Sequence, residues 1–175
     1  MAATVEFRVR YGADPGTEES TDASDLNLLG ADLGSGETAS LYPIRIPGPG
    51  GTSYSYERVF KMKVTDMGGA TYLNNFRVWA DSNTPSTGCE LYYAIKESYT
   101  SPVNDNSGIA ENGGSLIPTS DPGYASPNVT IGGSTTGTLA SAGDSTDYIY
   151  LQLKVDDTAT SGATNNIHVA WDEVV

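Results

Sequence analysis

Catalysis by this chain would have to be built from very few groups. It holds one histidine, His168, and one cysteine, Cys89. A histidine works as a general base only within hydrogen-bond reach of the proton it takes. Alternation along Ile167-His168-Val169-Ala170-Trp171 sets His168 opposite Ile167 and Val169, on a solvent-facing side. Cys89 follows Thr87-Gly88 near a predicted strand start, has no nucleophile motif around it, and reads as a small packing residue. A single cysteine also excludes an internal disulfide and a Cys-based metal cluster. A nucleophilic serine needs a setting such as Gly-x-Ser-x-Gly, which Gly34-Ser35-Gly36 and Gly133-Ser134 do not complete. The adjacent carboxylates Asp156-Asp157 and Asp172-Glu173 point to opposite faces of a strand and make no acid–base pair. The expectation is a protein that is not an enzyme and uses no cofactor.

Binding chemistry has more material. Asp14, Glu18, Glu19, Asp22 and Asp25, or Asn104, Asp105 and Asn106, offer oxygen ligands for calcium. Neither set follows the twelve-residue calcium loop with its fixed glycine and closing glutamate. A run of like charges is read instead as a solvated loop, and no metal is expected. Pro47-Gly48-Pro49-Gly50-Gly51-Thr52 is glycine-rich, but its prolines remove the N–H donors a phosphate loop needs, so it reads as a turn. The 11 tyrosines are the remaining resource, several of them on or beside predicted strands. Exposed aromatic rows stack on sugar rings, and tyrosine is also frequent in protein–protein contacts. Tyr54, Tyr56, Tyr99 and Pro102, with the acidic Asp22 and Asp25, are the candidates for touching a partner.

The elements that must carry these residues are strands. Val5, Phe7 and Val9 alternate with Glu6, Arg8 and Arg10, and Phe60, Met62 and Val64 alternate with Lys61 and Lys63. The same period of two runs through Phe76 to Ala80, Leu91 to Ile95, Ile149 to Val155 and Ile167 to Trp171. Tyr42 to Ile46 and Asn128 to Ile131 are shorter candidates. The spacing predicts about eight strands, broken by Gly, Pro, Asn and Ser clusters. One short helix or turn is expected over 22–33, where Leu26, Leu29 and Leu33 recur after Asp22 and Ser24. Short strands without crossover helices mean an all-β, antiparallel β-sandwich or jelly-roll-like domain spanning residues 1–175. Two long loops interrupt it, an acidic one at about 12–40 and a Ser/Pro/Asn/Gly-rich one at about 98–127. Loops so long are uncommon unless functional, and these are expected to gain their order from neighbouring chains.

Charge narrows the partners. With 22 acidic and 9 basic residues the net charge is −13, which repels phosphate backbones and anionic lipid. Neither nucleic acid nor membrane is an expected partner. Met1 to Phe7 has no charged n-region or apolar h-region, so synthesis in the cytosol without a signal peptide is expected.

Several segments in sequence order resemble a family of virion structural proteins from tailed phages. They are Ser55-Tyr56-Glu57-Arg58, Tyr72-Leu73-Asn74-Asn75-Phe76-Arg77-Val78-Trp79, and Pro127-Asn128-Val129-Thr130-Ile131-Gly132-Gly133-Ser134 with Gly137. Asp147-Tyr148-Ile149-Tyr150-Leu151-Gln152-Leu153, Thr158-Ala159 and the closing Trp171-Asp172-Glu173 continue the series. The resemblance implies a capsid-associated, neck or tail protein on a β-sandwich, with no catalytic residues. Capsid decoration in the virion, in many copies and bound to the major capsid protein or other virion proteins, is the leading expectation. A tail or neck protein and a carbohydrate- or host-surface-binding module are the alternatives.

Overall fold

The computed structural model describes residues 1–21, 26–34, 37, 40–160 and 165–175. Nine strands follow one another: β1 (Thr4–Tyr11), β2 (Thr17–Thr21), β3 (Thr52–Tyr54), β4 (Arg58–Asp66), β5 (Tyr72–Ala80), β6 (Cys89–Lys96), β7 (Ser115–Leu116), β8 (Tyr148–Asp156) and β9 (Ile167–Val174). Seven of them form one antiparallel sheet in the order β2-β1-β4-β8-β6-β7, with β3 also on β8. β5 and β9 form the second layer. The all-β fold expected from the alternation is present, and no described residue is helical. Among the described residues no helix is long and apolar enough to cross a membrane.

The period of two is the reason the layers close on each other. Phe60, Met62, Val64, Phe76, Val78, Leu91, Ile149 and Leu151 project into one buried core between the sheets. Ile95, Leu153, Val169 and Trp171 pack against that core while staying partly exposed. Each fully buried side chain of this size contributes about 1.5–3 kcal/mol, so the register of these strands is strongly specified.

Two irregularities shape the strands. From Tyr54 to Arg58 the chain takes four steps while β8 takes three from Lys154 to Leu151, so Ser55-Tyr56-Glu57 bulges out between β3 and β4. Ser55 fastens the bulge: its N–H donates to the Leu153 carbonyl and its hydroxyl accepts the Leu153 N–H, each at 2.9 Å. In β5, three steps from Asn74 to Arg77 oppose two in β9. Asn75 sits there at φ 51°, a left-handed conformation that asparagine tolerates better than most residues. Asp172 of β9 accepts from the Asn75 amide at 2.8 Å and from the Arg77 guanidinium at 3.2 Å, tying the bulge to the last strand.

The edge of β5 away from β9 is covered by irregular chain. Ala80 N–H donates to Pro118, Val129 N–H to Phe76, and the Asn128 amide bonds both the N–H and the carbonyl of Val78. Asn128 thus stands in for a strand residue. Asp147 closes the turn that follows, accepting from Gly132 N–H at 3.0 Å and Gly133 N–H at 2.8 Å.

Four expectations need correction. Tyr42–Ile46 and Asn128–Ile131 are not strands, and Leu26, Leu29 and Leu33 lie in irregular chain rather than in a helix. Part of the acidic stretch 12–40 is β2, a polar strand paired with β1 and joined to β4 by Glu18 and Lys61 at 3.0 Å. Within 98–127, Tyr99, Pro102, Ile109, Ala110 and Ile117 are buried against this chain's own sheets. Tyr150 and Gln152 are the cause, because they turn a second apolar and hydrogen-bonding face of β8 outward for that segment to cover.

Candidate functional site

The residues singled out for partner contact fall into three groups. Tyr54 is half-buried and donates to Glu111 Oε1 at 2.9 Å, and Lys154, its neighbour across the strands, binds the same carboxylate at 2.7 Å. Burial and Glu111 push the Tyr54 hydroxyl up, while Lys154 and Tyr54 hold the Glu111 carboxyl low. Tyr56 is half-buried and gives its N–H to the Leu29 carbonyl. Tyr99 and Pro102 are buried, contrary to a role at a free surface. The Tyr99 hydroxyl donates to the Gly12 carbonyl at 2.5 Å, its ring lies 5.2 Å from the Arg10 guanidinium, and burial pushes its pKa far up. Asp22 and Asp25 lie outside the described residues.

The segment over β8 is held by two buried polar side chains. Glu57, in the β3–β4 bulge, accepts the N–H of Ile109 at 2.9 Å and of Val103 at 3.3 Å. Burial raises the Glu57 pKa, and those two N–H groups oppose the rise. Gln152 accepts the Ala110 N–H at 2.9 Å and donates to the carbonyls of Ser55 and Val103.

The groups weighed for chemistry are structurally committed. His168 Nε2 meets Asp81 Oδ1 at 2.6 Å, and its ring stacks on Trp79, its neighbour across the strands, with centroids 5.3 Å apart. That hydrogen bond is the main reason the Asp81 carboxyl is held low. Cys89 is buried beside the Ser86 hydroxyl at 3.2 Å. Glu19 accepts the Tyr11 hydroxyl at 2.7 Å, and Asp105 accepts both the N–H and the hydroxyl of Ser107. Among the described residues no three His, Cys, Asp or Glu side chains gather as a metal site.

What the structure leaves open is at β9. This strand has β5 on one side, and among the described residues no strand on the other. Where it begins, at Ile167, a cleft of about 550 Å³ opens over the inner face of β8, walled by Leu153, Val155, Leu26, Leu28 and Ile44. Comparison with known protein families, curated proteins and solved structures finds no match in any of the three. The site therefore has to be read from its own chemistry. It offers a row of backbone donors and acceptors beside an apolar hollow, which suits an extended polypeptide.

Alternation marked Ile167, Val169 and Trp171 as core-facing, but an edge position depends on which strands pair, and no local signal carries that. The cleft has no local sequence signal either, because Leu26, Leu28 and Ile44 are far from Leu153 along the chain.

Proposed function

We propose that the protein is a non-enzymatic structural protein of a tailed-phage virion, a capsid decoration or accessory subunit that binds neighbouring capsid subunits and is present in many copies. The virion reading rests on the resemblance of an ordered series of segments, from Ser55 to Glu173, to phage structural proteins. The observation that carries the assembly role is the edge of β9 (Ile167–Val174), which has no second strand beside it among the described residues, with an apolar cleft at its Ile167 end. Exposed edge strands invite pairing with another chain, and proteins that act alone cover or blunt them. A net charge of −13 also keeps such a subunit from adhering to the packaged genome.

The test is stoichiometry in purified particles, with heads and tails separated and quantified by mass spectrometry. The expected result is a fixed ratio to the major capsid protein in heads. Recovery with tails alone would move the protein to the tail or neck, and absence from particles would overturn the reading.

A further inference from the structure

We propose that β9 receives an added β-strand from a different protein, an extended segment with apolar residues at alternate positions and lysine or arginine between them. The inference rests on the reading of the chain as an assembly protein. Asp81 N–H donates to the Asn166 carbonyl at 3.1 Å, and Thr71 N–H to the Val174 carbonyl at 2.7 Å. In an antiparallel strand the backbone groups of successive residues point to opposite edges, so the even-numbered residues of β9 face β5. Ile167, Val169 and Trp171 turn their N–H and carbonyl groups the other way, and among the described residues those groups have no partner.

The side chains of the same three residues pack on the core but are only partly covered. A strand laid against them would hydrogen-bond the row and shield these side chains. Its inward residues would pass into the cleft that begins at Ile167. This is the arrangement of a sandwich layer that lacks its next strand.

Charge selects the occupant. Asp81 beside His168, and Asp172 and Glu173 within β9, put carboxylates along the strand, while Arg45 is exposed near the cleft-lining Ile44 and Ile46. Asp172 and Glu173 are partly engaged, by Arg77 and by the Ala3 N–H. The net −13 of the chain adds to the same field. A second copy is the poorer occupant, since two such chains repel and His168, the one basic side chain of β9, is already held by Asp81.

The test uses the full chain and two synthetic peptides, acetyl-KVKVKVK-amide and its glutamate counterpart acetyl-EVEVEVE-amide, titrated by calorimetry. The lysine peptide should bind, weaken as salt rises, and slow amide exchange at Ile167, Val169 and Trp171. Val169→Pro removes an N–H that faces away from β5, so the β5 ladder survives while affinity falls by about tenfold or more. If that variant does not fold, Ile44→Ser takes its place, trimming the cleft wall and weakening the lysine peptide. Binding of the glutamate peptide as tightly as the lysine one would overturn the proposal. So would no binding of either, no effect of the folded variant, or a concentration-dependent dimer that Val169→Pro abolishes. Failure here with the protein still present in particles leaves the virion role to another surface. Peptide binding by a protein absent from particles removes the virion role and keeps the edge.

Discussion

The side-chain amide of Gln152 is pressed against the backbone of Gly108. Gln152 is fully buried, with its oxygen on the Ala110 N–H and its nitrogen shared between the Ser55 and Val103 carbonyls. A Cβ at position 108 would overlap both terminal atoms of that amide. The outer face of β8 and the segment 98–114 are therefore fitted to each other at one glycine.

Gly108→Ala should cost about 1–3 kcal/mol, because either the buried amide loses its partners or the segment lifts from the sheet. Gly48→Ala is the control: a Cβ there meets nothing within 4 Å, and its effect should stay within about 0.5 kcal/mol. Urea denaturation of both variants measures the difference.

Glu57 makes the same segment sensitive to pH. Its pKa is raised by burial, so the folded state favours the protonated carboxyl. Such a group costs nothing below its unfolded pKa, and its stability contribution falls as pH rises through the raised folded value. Against wild type, Glu57→Gln should therefore gain stability as pH climbs from the ordinary carboxyl range upward. A difference that stays constant with pH would remove Glu57 as the cause.

Leu151 and Leu153 separate full from partial burial on one strand. Leu151 is 1% exposed and belongs to the central core, whereas Leu153 only packs against it. Leu151→Ala should cost about 2–5 kcal/mol and Leu153→Ala less, with both read from thermal or urea unfolding.

The inward face of β8 was legible because Ile149, Leu151 and Leu153 repeat at a period of two. Its outward face was not, since Tyr150 and Gln152 read as solvent-facing until the 98–114 segment is seen to cover them. β2 escaped because Thr17–Thr21 has no apolar residue, and its place follows from pairing with β1 rather than from burial. Asn74-Asn75 and the closing Trp171-Asp172-Glu173 stood out as separate segments. They are coupled through the Asp172 carboxylate, which anchors the β5 bulge.

Burial of Tyr99, Ile109 and Ala110 also changes what proteolysis should find. Limited digestion of the free protein should spare 98–114, because cleavage there needs the segment to leave the sheet. Rapid cutting within 98–114 in the free protein would show that the segment is held by neighbours instead.

The edge of β9 away from β5, unpaired among the described residues, is tested most directly by amide hydrogen exchange, residue by residue, in the free protein and in assembled particles. In the free protein Ile167, Val169 and Trp171 should exchange fast while His168 and Ala170, bonded to β5, exchange slowly. In particles the fast set should become slow. Fast exchange that persists at those three amides after assembly, or protection of them already in the free protein, would contradict the account.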